Sequence, residues 1–170
     1  MNRWFWGVAG LIVAGLVFWQ RDALFPGEAG RVTAVLNQIA KDVSFGPGEG
    51  NVGAIRRVSS VVDRFAPNVS IQLEVLGVGE FQLTGRDEIQ QRLLAVRRAL
   101  KRLDLKFHDI IVTVADDRQT ADVHLTATAD AEGEGRNAGG FEALEFDFKM
   151  SKPEGRWRID QITTVPTLKQ

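Results

Sequence analysis

FEALEFDFKM, residues 141–150, carries the clearest strand pattern in the chain. Leu144, Phe146 and Phe148 alternate with Glu145, Asp147 and Lys149. Successive side chains of a strand point to opposite sides, so this period of two predicts a strand with one apolar and one charged face. Such a strand suits an antiparallel sheet covered on one side and wet on the other. Working outward, strands are predicted over 105–114, 120–129 and 156–165. Between them lie a turn at Ala115-Asp116-Asp117-Arg118, a glycine-rich loop over 132–140 and a turn at Lys152-Pro153-Glu154-Gly155, all residue types that interrupt regular structure.

Upstream the period lengthens to that of a helix. Val32, Val35, Leu36, Ile39 and Val43 predict a helix over 28–42, broken by the glycines and proline of 44–50. A second helix is predicted over 52–66, with Asn51 as its N-cap, Pro67 beyond its end, and Ile55, Val58, Val62 and Phe65 on one face. Val69, Ile71, Leu73 and Val75 begin a hairpin that turns at 77–79 and returns over 80–84. The third helix is expected over 86–103, with the stripe Ile89, Leu93, Val96, Leu100 and Leu103. Helices segregated from a closing meander of strands define an α+β fold. Three helices are expected on a curved, mainly antiparallel sheet, a cone-like roll.

The N-terminus has a different character. WFWGVAGLIVAGLVFW, residues 4–19, contains no charge. As a helix it spans about 24 Å, a little short of the roughly 30 Å hydrocarbon core. Arg3 and Arg21 flank it, and Trp4, Trp6 and Trp19 sit at its ends, where aromatic belts form. A buried soluble helix calls for a polar face, and a cleaved signal peptide calls for small residues where Val17-Phe18-Trp19-Gln20 stands. One transmembrane helix is therefore expected over 1–20, followed by a linker over 21–28, a folded domain over 29–166 and a tail over 167–170. Arg21 is offset by Asp22, whereas Arg3 adds to the charge of the amino terminus. The positive-inside rule then places the N-terminus in the cytoplasm and the domain outside it, in the periplasm of a bacterium.

Composition narrows the function classes. Of 170 residues, 44% are apolar and 25% charged, which is the mixture of a globular chain. A net charge of −1 gives no electrostatic case for nucleic acid. With no cysteine, disulfides, thiolate nucleophiles and cysteine zinc sites are excluded. His108 and His124 do not form a metal-binding spacing, so neither metal nor cofactor is expected. The loop over 132–140 lacks the lysine of a phosphate-binding loop.

The element order, together with Thr84-Gly85-Arg86-Asp87-Glu88-Ile89 and Gly155-Arg156-Trp157-Arg158-Ile159, resembles the nuclear transport factor 2-like superfamily over 28–166. That superfamily includes polyketide-cyclase-like proteins and ketosteroid isomerases. The resemblance implies a curved sheet wrapped over the helices with a pocket between them. It also implies that an enzyme of this kind would set an Asp or a His–Asp pair in the pocket, sometimes with a tyrosine.

Strand parity points Ile71, Leu73, Phe146, Phe148 and Trp157 to the apolar face as pocket liners, a plain core position being the alternative for Trp157. His108 shares the phase of Ile110, Val112 and Val114 and is the candidate acid–base residue; His124 falls on the wet face with Asp122, Thr126 and Thr128. A catalytic histidine needs an orienting partner. Asp109 lies on the opposite face by parity, Asp63 is far round its helix from the apolar stripe, and the chain has no tyrosine. No catalytic residue is therefore assigned.

Arg92, Arg97, Arg98, Lys101 and Arg102 form a basic face on the third helix. A solvated helix end accounts for it; contact with acidic lipid or an acidic partner is the alternative. The formal charge is +4 over 1–103 and −5 over 104–170. The leading expectation is a membrane-tethered, non-enzymatic interaction or scaffold domain, self-associating or joined to an envelope protein. The alternatives are a binder of a small hydrophobic molecule and a cyclase- or isomerase-like enzyme using His108.

Overall fold

The computed structural model describes residues 27–75, 79–133 and 139–165. Two helices, α1 (Glu28–Val43) and α2 (Asn51–Val62), precede the hairpin β1 (Phe65–Val75) and β2 (Gly79–Thr84). Helix α3 (Gly85–Ala99) leads into β3 (Leu100–Val114), β4 (Thr120–Gly133), β5 (Gly139–Ser151) and β6 (Arg158–Thr164). The strands form one sheet in the order β2-β1-β6-β5-β4-β3. Every neighbouring pair is antiparallel except β1 and β6, so the sheet is mixed. The last strand enters between β1 and β5, which joins the hairpin to the meander as a single surface.

The alternation of 141–150 sets the layering. Phe146, Phe148 and Met150 are buried, while Glu145, Asp147 and Lys149 are exposed. Val123 and Leu125 of β4 and Ile159 of β6 share the buried face. Against it pack Val32, Leu36 and Ile39 of α1 and Val58, Val61 and Val62 of α2. Full burial of a side chain such as Leu36 or Leu125 contributes about 1.5–3 kcal/mol.

Sheet pairing overrides the helical pattern at two places. The second helix ends at Val62, short of Ala66, and Phe65 already pairs with Ile159. The Ile159 amide donates to the Arg64 carbonyl at 2.9 Å. Pro67 disfavours helical geometry at Ala66 and has no N–H for the ladder. The β1–β6 register accordingly shifts between Phe65 and Ser70. Asn51 is the first residue of that helix, and Gly50 holds the N-cap position.

The third helix stops at Ala99, so Leu100 and Leu103 of the expected stripe belong to β3. Leu103 is claimed by two partners, Ala131 in β4 and Phe45 in the segment after α1. Backbone bonds of 2.8 and 2.9 Å join Phe45 and Leu103 in both directions.

The start of α3 explains its quoted motif. Gly85 has φ +79, a conformation that favours glycine. Glu88 reaches back to accept the Thr84 amide at 2.6 Å. Arg86 donates through Nε to the Phe65 carbonyl at 2.8 Å, fastening the helix to the foot of β1.

No helix among the described residues is long and apolar enough to cross a membrane. The expected transmembrane helix over 1–20 lies outside the described residues, as do the tail over 167–170, the hairpin tip at 76–78 and the centre of the glycine-rich loop, 134–138.

Candidate functional site

Between the helices and the sheet lies a cavity of about 250 Å³. Its walls are Ile39 and Val43 of α1, Val61 of α2, Ile89 and Leu93 of α3, and inward-facing residues of all six strands. Of the expected liners, Ile71, Leu73, Phe146 and Phe148 stand in this wall. Phe148 meets Phe107 and Phe146 edge to face, with ring centroids 6.1 and 6.4 Å away, a geometry that aromatic quadrupoles favour. Sixteen of the seventeen described lining residues are apolar, and the other is Arg92. The Arg92 side chain is exposed, and its Cζ lies 5.5 Å from the centroid of the Phe81 ring.

Trp157 is not in this wall. It is 5% exposed and its Nε1 donates to Glu28 Oε2 at 2.9 Å. Lys152 Nζ donates to the same oxygen at 2.7 Å and sits over the indole, 5.7 Å from its centroid. These contacts tie the first turn of α1 to the β5–β6 connection. The two hydrogen bonds, led by Lys152, hold the Glu28 carboxyl below the usual carboxylate range. Parity correctly turns Trp157 inward, but it carries no information about which part of the interior a residue reaches.

His108 also departs from its expected position. It is exposed, and its Nε2 lies 3.1 Å from Thr128 Oγ1. The cause is a bulge. His108 pairs with Thr126 and Ile111 with His124, so Asp109 and Ile110 face the single residue Leu125. Asp109 takes φ +50 there, a conformation that a short polar side chain tolerates better than most. Leu105 and Phe107 before the bulge and Ile110, Val112 and Val114 after it therefore all pack toward the core, and His108 points away. The signal was in the sequence: apolar residues at 103, 105 and 107 change phase to 110, 112 and 114. Reading that shift would have placed Phe107 in the wall and removed His108 from it.

His124 lies on the outer face, where its Nδ1 is 2.9 Å from Asp147 Oδ1. Both side chains are substantially solvent-exposed, at 43% and 59%. This pair is outside the cavity. Asp63 is an exposed residue at the end of α2.

The basic face separates into different environments. Arg97 is nearly buried, pairs with Glu49, donates to the Asp42 carbonyl at 2.8 Å and covers the Phe45 ring. Arg102 is on β3 and pairs across the ladder with Asp130 at 2.5 Å. Lys101 is also on β3, whereas Arg92 and Arg98 remain exposed on α3. The expected single solvated face failed because Arg97 meets a loop that helical periodicity does not contain. Among the described residues no three of His, Asp and Glu form a metal-binding group.

Three helices on a mixed, curved six-stranded sheet, with an apolar cavity between the layers, make up the nuclear transport factor 2-like fold. Within it, the chain belongs to the SnoaL-like domain family, whose model matches residues 55–163. A candidate scytalone dehydratase from Novosphingobium aromaticivorans superposes with TM-score 0.64 at 12% identity, covering 81% of this chain and 83% of that one. A candidate aromatic ring hydroxylase from the same species gives 0.62 at 15% identity, covering 84% and 90%. An NTF2-like protein of unknown function from Pseudomonas putida gives 0.57 at 9%, covering 82% and 86%. At these identities the likeness is one of fold. No curated protein matches the chain.

Proposed function

We propose that this protein binds a small hydrophobic molecule in the cavity between its helices and sheet, and that it holds this molecule without acid–base chemistry. The observation that carries the reading is the lining: sixteen apolar side chains and one arginine around about 250 Å³. Apolar walls with few polar groups are the usual character of a ligand site. An apolar cavity of about 150 Å³ is already enough to take up benzene. A general acid or base must stand within hydrogen-bond reach of the reacting atom, and among the described residues the wall contains no carboxylate or imidazole. His108 is outside it, which leaves the isomerase-like reading without its proposed base.

The test is titration of the full chain with octan-1-ol, followed by calorimetry, beside the variant Leu73→Trp. Leu73 is a half-buried liner, so an indole there fills space with little disturbance of the deep core. Saturable binding by the natural chain and its loss in the variant are expected. Absence of saturable binding by the natural chain refutes the reading.

Residues 4–19 give this binder a location. A membrane-spanning anchor there leaves only residues 20–27 before α1, a reach of at most about 28 Å. The cavity then stays beside the bilayer, a natural reservoir of hydrophobic molecules. Extraction of cell membranes with alkaline carbonate tests the tether: release of the full chain into the soluble fraction would exclude it.

A further inference from the structure

We infer that the ligand is an amphiphile with a single anionic end, its apolar body in the cavity and its anion on Arg92 at the mouth. The inference rests on the binding function proposed above and adds the chemical class of the ligand. Arg92 is the one charged residue of the wall among the described residues. It sits at the middle of α3, and its side chain is exposed, so it marks an edge of the cavity and not its floor. Among the described residues it has no carboxylate partner, and it lies over the Phe81 ring.

Two other arginines near the core are committed. Arg86 is spent on the Phe65 carbonyl and Arg97 on Glu49 and the Asp42 carbonyl. Arg64 lies 3.8 Å from Asp42. Arg92 thus combines a guanidinium without a carboxylate partner among the described residues with an apolar stem that lines the cavity. A guanidinium offers a planar fork of donors matched to carboxylate or phosphate oxygens. Phe81 holds the fork by a cation–π contact, which leaves its N–H edges free to donate.

The volume limits the apolar body. At roughly 30 Å³ for each water-sized group, about eight such groups fill the cavity, so a chain of about eight carbons is the matched probe. Three probes of that length differ only in their end group: sodium octanoate, octan-1-ol and octylammonium chloride. Each is titrated calorimetrically into the full chain at neutral pH, in low and in high salt, and into Arg92→Met and Arg92→Gln. Methionine keeps the apolar stem while removing the charge.

The expected result is octanoate binding about fivefold tighter than octan-1-ol, near the upper limit for an exposed ion pair. Octylammonium binds more weakly than either. The octanoate advantage shrinks in about 1 M salt, where the screening length falls to about 3 Å, and it disappears in both variants. Octan-1-ol is the internal reference in each chain, so the octanoate-to-octanol affinity ratio is the quantity compared between the natural chain and the variants. Equal affinity for octanoate and octylammonium overturns the inference while leaving the apolar site standing. So does an octanoate advantage that survives in Arg92→Met or is unaffected by salt. Failure of octan-1-ol and octanoate alike overturns the binding function itself. The salt series on the natural chain tests the charge dependence even if one variant fails to fold, and the other variant then tests the assignment to Arg92.

Discussion

Replacing Arg97 by alanine should destabilise the domain far more than its place in a run of surface cations suggests. Its side chain is 8% exposed. It pairs with Glu49, donates to the Asp42 carbonyl at 2.8 Å and lies 4.7 Å from the Phe45 ring centroid. One residue therefore joins α3 to the C-terminal end of α1 and to the segment between α1 and α2. Removing one member of a fully buried ion pair costs about 3–5 kcal/mol, mainly because the other charge is stranded. Glu49 would not be wholly stranded, since it is 16% exposed and Arg57 Nε remains 3.0 Å away. The loss is accordingly set lower, at about 2–3 kcal/mol. For a domain of this size that is a fall in Tm of roughly 8–12 °C. Thermal unfolding followed by circular dichroism measures it. A cycle with Glu49→Gln should give a coupling of about 1–2 kcal/mol. Arg102→Ala is the internal control: its pair with Asp130 is open to solvent on both sides, so its effect should stay within about 0.5 kcal/mol. A Tm for Arg97→Ala within about 2 °C of the natural chain, or strict additivity with Glu49→Gln, would refute the reasoning.

Two further outcomes follow from local geometry. Lys152 and Trp157 lower the Glu28 pKa from its ordinary 4.5, so the ionised folded form is favoured. That stabilisation is complete above the ordinary value and is lost as pH falls through the lowered one. Tm should therefore drop in acid, and Glu28→Gln should flatten this part of the profile; an unchanged acid limb in the variant would dismiss the latch. At the β3 bulge, Asp109 has φ +50. Asp109→Gly should be near neutral, and Asp109→Val should cost about 1–2 kcal/mol because a β-branched residue fits this conformation poorly. Urea unfolding of the pair checks it, and equal midpoints would mean that the bulge is not held as described.

The elements were legible because their patterns are local. The period-two alternation of 144–149 and the period-3.6 stripe of α1 report which face of each element turns inward. The α+β class and four of the cavity's liners, Ile71, Leu73, Phe146 and Phe148, follow from that alone. Their convergence on one space does not. Phe65 is helical by pattern and strand by pairing with Ile159; Leu100 and Leu103 extend a helical stripe yet lie on β3. In each case hydrogen bonds to distant residues outweigh a weak local preference.

The site residues divide in the same way. His108 and Ile110 share parity in the sequence and lie on opposite faces, because one extra residue in β3 reverses the phase. Trp157 has the inward parity of a liner but meets Glu28 away from the cavity wall. Arg97 and Arg92 both read as solvated cations. Tertiary contacts bury the first against Glu49 and set the second at the rim of an apolar space. The sequence by itself determined the inward face of each element, because that depends on periodicity along a few neighbouring residues. Only the tertiary structure decided which inward faces meet, where a bulge reverses them and which arginine remains available, because those depend on residues far apart in the chain.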